Sequence, residues 1–175
     1  YSFYIASTSH EIGRITGSYE TSEVGGSGGI KFETRSGGTL AERMRLLSNG
    51  YLGIAMTSPS VELEVTGDIE YTGTITDVSD RRLKENFSSI DSVLTKIMKI
   101  KGLSYNMIND TLKTREYGVI AQDVQAVFPE MVTTVDPENG YLGVAYIQLI
   151  PVLLEGMKEQ QAIIETQKTE IESLK

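Results

Sequence analysis

The chain has 175 residues, 39% hydrophobic and 23% charged, which is enough for one ordinary domain or two small ones. It contains no cysteine, so disulfides, zinc–thiolate clusters and thiol nucleophiles are excluded, and a single histidine, His10, excludes histidine triads within one chain. The net charge of −8 argues against nucleic acid or an anionic membrane as a partner. No apolar run approaches the ~20 residues that span a bilayer, so no membrane insertion is predicted. Tyr1 is not an initiating residue, and we expect a fragment of a longer protein.

Glycine is distributed unevenly, with twelve of the 17 glycines in residues 1–78 and five in 79–175. The first part therefore predicts short strands separated by turns, including a turn at 25–29, and the second a mixed α and β unit. Strands of the first part are expected at 30–33, 44–47, 51–54, 61–65 and 69–71. Between the second and third of these, Asn49-Gly50 predicts a hairpin. These strands contain few large apolar residues, so we expect a multi-chain β structure in which parallel strands come from three chains.

The second part predicts two helices and four strands before its C-terminal stretch. One helix is expected from Ile90 to Met98 with a stop at Gly102, and a short one around 122–128 that Pro129 ends. The expected strands are 103–107, 117–121, 132–135 and 141–144, the last two joined by a tight turn. The fold class is thus α+β.

The C-terminal stretch, about 147–175, predicts one long helix with a coiled-coil seam. The seam residues are Ile150, Met157, Ile164 and Ile171 at a, and Leu153, Gln160, Gln167 and Leu174 at d. Isoleucine at a without leucine at every d favours a homotrimer over a dimer. Pro151 must lie in the first turn. The alternative is an amphipathic helix that packs on its own domain.

One pair of residues suggests chemistry, namely Ser79 and Lys84. In a Ser–Lys dyad the lysine amine is the base if burial or nearby cations such as Arg81 and Arg82 favour its neutral form. A spacing of five residues does not bring the pair together on a helix or a strand, so the two can meet only across a non-helical turn or between chains. We expect this turn to be shaped only after trimerisation. The alternative is that Ser79 simply caps a helix containing Leu83 and Phe87.

Residues 79–86, Ser-Asp-Arg-Arg-Leu-Lys-Glu-Asn, resemble the signature of the C-terminal intramolecular chaperone autoproteases. These domains end phage tail fibres, endosialidase tailspikes and neck appendages, and a related one occurs in the myelin regulatory factor. The resemblance continues through 116–124, 128–130, 140–144 with Tyr146, and 149–151, so it covers nearly all of 79–175. Residues 42–74 resemble the fibre segment that usually precedes such a domain.

The resemblance implies that the chain cleaves itself between Val78 and Ser79, with Ser79 as nucleophile and Lys84 as its activating partner. Either an N-to-O acyl shift or direct attack by water fits the sequence. Asp80, Arg81 and Arg82 are expected to support the turn, and Asn86 is a candidate oxyanion donor. No metal and no cofactor is predicted.

We therefore expect a β-rich fibre segment in 1–78 and a self-releasing, trimerising chaperone in 79–175, at the distal end of a tail fibre or tailspike. The expected partners are two further copies, the upstream shaft and a host glycan or receptor, in a virion assembled in the host cytoplasm. The main alternative is a permanent, uncleaved trimeric fibre tip. A membrane-tethered transcription factor released by the same domain is a further alternative, but the chain has neither a basic DNA-binding region nor a spanning segment.

Overall fold

The computed structural model describes residues 6–7, 10–20 and 26–175. The chain separates into two compact units, Tyr1–Val78 and Ser79–Lys175. The predicted turn at 25–29 lies partly outside the described residues, because residue 25 is not among them. The architecture is mixed α and β with a long C-terminal helix, which confirms the predicted fold class.

The first unit consists of strands, and its described residues form no helix. The strands are β1 (Ala6–Ser7), β2 (His10–Glu11), β3 (Gly13–Tyr19), β4 (Gly28–Ser36), β5 (Thr39–Leu46), β6 (Leu52–Ile54) and β7 (Leu63–Val65). Strands β3 to β7 form a five-stranded sheet in chain order, antiparallel except for the parallel pair β6–β7. The expectation of parallel strands from three chains is wrong for this sheet, because short turns let its strands pair within one chain.

The Asn49-Gly50 hairpin is confirmed and the strand predicted at 69–71 is wrong. Gly50 has φ +87°, a backbone conformation that favours glycine, and Leu46 pairs with Leu52 across the turn. Beyond β7 the chain has no regular structure up to Asp80, and Ile69 and Tyr71 remain exposed. A strand needs a hydrogen-bonded neighbour, and the described chain offers residues 69–71 none.

The second unit contains short elements followed by one long helix. In chain order these are a 3₁₀ turn (Arg81–Leu83), α1 (Val93–Ile97), β8 (Leu103–Tyr105), β9 (Glu116–Gly118), α2 (Ala121–Gln125), a 3₁₀ turn (Pro129–Met131), β10 (Val132–Asp136), β11 (Tyr141–Val144), a 3₁₀ turn (Tyr146–Gln148) and α3 (Leu149–Ser173). The pairs β8–β9 and β10–β11 are antiparallel. The helix expected from Ile90 to Met98 is limited to Val93–Ile97, because Ser92 has φ +57° and cannot continue a right-handed helix.

The core of the second unit joins its helices. Its buried side chains are Val93, Val124, Phe128, Met131 and Val152. Helix α3 approaches α1 at Gly156, where a Cβ atom would lie 3.0 Å from Ile97 Cδ1. No large apolar side chain of the first unit's described residues is buried, so that unit has no core of its own.

Glu159 of α3 fastens the start of α1. Its carboxylate accepts hydrogen bonds from the backbone N–H groups of Val93 and Leu94, each at 2.9 Å. These bonds hold the pKa of Glu159 below its usual value, and the bond from Leu94 has the largest effect. Glu159 therefore caps α1 in place of Ser92, whose side chain makes no capping hydrogen bond.

Candidate active site

Ser79 and Lys84 meet across a tight turn within one chain. Asp80 caps the 3₁₀ turn, since its carboxylate accepts from Arg82 N at 2.8 Å, and the Lys84 N–H closes it on Arg81 O at 3.2 Å. The side chain of Lys84 then reaches back, so that its Nζ lies 2.6 Å from Ser79 Oγ. The expectation that this pair needs trimerisation to meet is therefore wrong.

The alternative role of Ser79 as a helix cap is also wrong. Asp80, one residue later, is the capping residue, and the helix that it caps contains only Arg81–Leu83. Phe87 lies outside this turn and is exposed, so the alternative helix containing Leu83 and Phe87 does not form. The Ser79 hydroxyl is consequently bonded to Lys84 rather than to a backbone N–H.

Two contacts hold the turn in shape. The guanidinium of Arg82 binds the Asp80 carboxylate, with Nη2 2.7 Å from Oδ2, which lowers the pKa of Asp80 and raises that of Arg82. The guanidinium of Arg81 lies 4.6 Å from the centroid of the Phe87 ring. The sequence predicted a supporting role for Asp80, Arg81 and Arg82 but did not indicate one for Phe87. An aromatic residue six positions from an arginine, beyond a turn, is the signal that was available.

Asn86 has φ +55°, a left-handed conformation in which asparagine is better tolerated than most residues. Within the described part of the chain, no hydrogen bond joins the side chain of Asn86 to Ser79 or Lys84. Asn86 thus shapes the exit from the turn, and its role as an oxyanion donor stays a prediction.

In one chain this pair lies in water. Ser79 and Lys84 are both exposed, and Val78 is 78% exposed. A protonated Lys84 donates a hydrogen bond to Ser79 Oγ, whereas a neutral amine at the same position accepts the Oγ proton. The geometry therefore suits proton transfer, but the surroundings do not exclude water from the amine.

The predicted seam residues follow one side of α3 and are uncovered in the single chain. All eight of them are exposed, as is every residue from 160 to 175. The helix contacts its own unit through Val152, Gly156 and Glu159. Packing on its own domain therefore accounts for the first part of α3 and not for the remainder.

The described residues provide neither a metal-binding cluster nor a membrane-spanning helix. Among them no three His, Cys, Asp or Glu side chains come together in a way that could hold a metal ion. None of their helices combines the length and apolar character that crossing a membrane requires.

Residues 79–133 match the model of the peptidase S74 family, the chaperone of endosialidase. Over 90 residues the chain is 34% identical to the long tail fiber protein Gp37 of Enterobacteria phage K3, covering 48% of this chain and 7% of that protein. Over 105 residues it is 31% identical to the myelin gene regulatory factor-like A protein of Dictyostelium discoideum, covering 54% of this chain and 11% of that protein. The chain thus spans only a small fraction of these relatives.

Among solved structures, the carboxy-terminal domain of the bacteriophage T5 L-shaped tail fiber with its intra-molecular chaperone domain matches 97% of this chain and 54% of that chain. The sequence identity is 13% and the TM-score 0.41, too low to establish a common fold. The family match confirms the predicted resemblance: residues 79–133 are similar to the chaperone-of-endosialidase family, and a long tail fiber protein of a phage is among the proteins to which the chain is similar.

Proposed function

We propose that the chain is the distal part of a phage tail fibre or tailspike that cleaves itself between Val78 and Ser79. Its second unit brings three chains together, guides the folding of the first unit and is then released. The observation that supports this most is the 2.6 Å contact between Lys84 Nζ and Ser79 Oγ. The contact lies at the first residue of the second unit, where one cut separates the two units covalently.

The chemistry begins at the hydroxyl of Ser79. Neutral Lys84 Nζ takes the proton from Ser79 Oγ while Oγ forms a bond to the carbonyl carbon of Val78. The tetrahedral intermediate collapses by breaking the C–N bond, and the nitrogen of Ser79 receives the proton from Nζ. Water then hydrolyses the resulting ester, leaving a carboxylate on Val78 and a free amine and hydroxyl on Ser79.

Direct attack by water on the Val78 carbonyl is the competing route. It forms no ester, so added hydroxylamine distinguishes the two routes. Trapping of the ester gives a hydroxamate at Val78, whereas direct hydrolysis gives only the carboxylate. In both routes the oxyanion needs N–H donors, for which Asn86 and the backbone amides of the turn are the candidates.

Assembly supplies what one chain lacks. A helix segment of this length with no partner is marginal in water, and no other described residue of the chain covers the part of α3 beyond Glu159. A three-stranded coil along the seam covers Ile150, Met157, Ile164 and Ile171. It also raises the effective concentration of the first units to roughly millimolar, which favours their association. Covering the exposed turn in the trimer would exclude water from the reacting atoms of Ser79 and Lys84.

The proposal makes the fibre a virion component that is assembled in the host cytoplasm, with the chaperone part released after cleavage. The partners are two more copies of the chain, the upstream shaft and a host glycan or receptor. A permanent, uncleaved tip predicts the same assembly but an intact chain, so the mature length of the protein separates the two.

The test compares the purified native protein with variants at the pair. The native chain should give fragments of 78 and 97 residues, while Ser79→Ala should stay at 175 residues. Lys84→Ala should slow cleavage by at least about 100-fold, since a general base contributes that much. Lys84→Arg should fail as well, because a guanidinium does not lose its proton near neutral pH.

Matched controls lie elsewhere in the second unit. Ser88→Ala and Lys99→Ala change the same residue types at exposed positions and should cleave like the native chain. Intact native protein in mass spectrometry would contradict self-cleavage and favour the permanent tip. Efficient cleavage in the Lys84→Ala variant would contradict the dyad alone.

A further inference from the structure

The five-stranded sheet of the first unit has two chemically different faces. Residues paired directly across neighbouring strands lie on the same face, and one such row crosses all five strands. Its members are Ile15, Phe32, Met44, Ile54 and Val65. Every residue of this row is apolar.

A second row, two residues along each strand, lies on the same face because side chains alternate with a period of two. It runs from Gly17 through Ile30, Leu46 and Leu52 to Leu63. The two rows together make one apolar surface without a charged side chain, here called the apolar face.

The opposite face carries the charges and neutralises them internally. Arg14 binds Glu33 at 2.5 Å, and Arg45 and Lys31 bind Glu42 at 2.7 and 3.8 Å. These contacts hold the pKa of each carboxyl below its usual value. The largest cause is the hydrogen bond from Arg14 for Glu33 and the hydrogen bond from Arg45 for Glu42. The buried residues Gly53 and Pro59 also lie together here, since a Cβ atom at Gly53 would be 3.3 Å from Pro59 Cδ.

Exposure in the single chain is therefore the reverse of the usual pattern. On the apolar face Ile15, Ile30 and Leu63 are 39%, 42% and 55% exposed. On the charged face the side chains of Glu33 and Arg45 are only 14% and 17% exposed. A sheet normally covers its apolar face and leaves its polar face in water. The described residues of the first unit form no helix that could cover this apolar face.

We infer that the apolar face is the surface through which three copies of the first unit pack together, each copy turning this face towards the trimer axis. The inference deepens the proposed function and rests on its trimer. Identical copies suit this face because its two rows carry no charge that a different partner would complement, and a threefold rotation brings the same apolar rows of all three copies to the axis.

The area of the apolar face limits how strongly it can hold three first units together. Four inter-strand gaps of about 4.8 Å and two rows about 7 Å apart give a footprint of roughly 250 Å², allowing for side-chain width. A partner in a standard interface contributes about 800 Å². The apolar face alone is therefore too small to hold the trimer, and the α3 seam of the same chain supplies the additional contact that the arrangement requires.

The chain contains no cysteine, so single cysteines can report on each face. Neighbours in sequence on opposite faces give matched pairs, Ile15→Cys with Thr16→Cys and Leu63→Cys with Glu64→Cys. Each is made in the full-length Ser79→Ala chain, and its reaction with a maleimide is timed. In a single chain the cysteine at 15 should react faster than that at 16, because Ile15 is the more exposed residue.

Packing through the apolar face reverses this order. The cysteines at 15 and 63 should react at least about tenfold more slowly than those at 16 and 64, since labelling then requires local opening. Light scattering on the same samples gives the number of chains, and circular dichroism identifies a variant that does not fold. The second pair decides the matter if the first is unfolded.

Two other outcomes overturn the inference in different ways. A trimer in which positions 15 and 63 still react faster leaves the proposed function intact and shows that the apolar face is open to another partner. A stable monomer overturns both the trimer and this interface.

Discussion

Truncation of Val152 to alanine tests whether α3 is held to its own unit by the core before any partner chain is involved. Val152 is completely buried beside Val93 and Val124. Removing two buried carbons costs about 1.6 kcal/mol of transfer free energy, and the cavity left behind raises this to about 2–3 kcal/mol. Alanine is the better helix former by up to about 0.7 kcal/mol, which offsets part of the loss. The core term is larger, so we expect a net destabilisation of about 2 kcal/mol.

The assay is thermal or urea unfolding followed by circular dichroism, at one fixed chain concentration, in the Ser79→Ala background. For a unit of this size, 1 kcal/mol lowers the melting temperature by about 4–8 °C, so a drop near 10 °C is expected. Leu112→Ala is the control, because it removes a larger side chain that is 86% exposed and should change stability by less than about 0.5 kcal/mol. Equal effects of the two variants would refute the assignment of Val152 to the core.

Three further predictions concern the contact of Glu159 with α1, the seam of α3 and the turn that joins Ser79 to Lys84. Glu159→Gln should weaken the loss of stability in acid. Because the pKa of Glu159 is lowered in the folded chain, its contribution is present above about pH 4.3 and is lost as the pH falls through the folded value, so stability should fall less in acid for the variant than for the native chain in unfolding curves. Ile164→Asp combined with Ile171→Asp should give monomers in light scattering and should slow cleavage. A fused three-stranded coil should restore the trimer and the native cleavage rate. A monomer that cleaves at the native rate would show that the turn reacts without assembly. Asp80→Ala should slow cleavage without abolishing it, because it releases Arg82 and loosens the turn while Lys84 stays, and an unchanged rate by electrophoresis would remove Asp80 from the positioning of the pair.

The reversed exposure of the two sheet faces and the uncovered second half of α3 have the same physical origin. Both are apolar surfaces that one chain does not cover, one in each unit. The sheet face by itself is too small to hold a trimer, so the proposed function implies an order in which the helices associate first and the sheets follow. After cleavage the finished assembly would persist through slow unfolding.

Local patterns in the sequence determined much of what the structure has. The Asn49-Gly50 turn, the alternation in 30–33 and the long heptad stretch each predict an element from near neighbours alone, and each element is present. The order of motifs from Ser79 onwards likewise indicated the family that residues 79–133 match. Such features depend on backbone propensity and side-chain period, which act over a few residues.

Tertiary structure decided the rest, because it depends on contacts between residues far apart in the chain. The spacing of Ser79 and Lys84 did not show that they meet, since the turn depends on the Asp80 cap and on Arg81 against the ring of Phe87. The sequence predicted that α1 starts at Ile90, but it starts at Val93. The left-handed backbone of Ser92 and the capping carboxylate of Glu159, 66 positions along the chain from Val93, set this start. Which sheet face is left uncovered follows only from the register of five strands, because a shift of one residue would exchange the two faces.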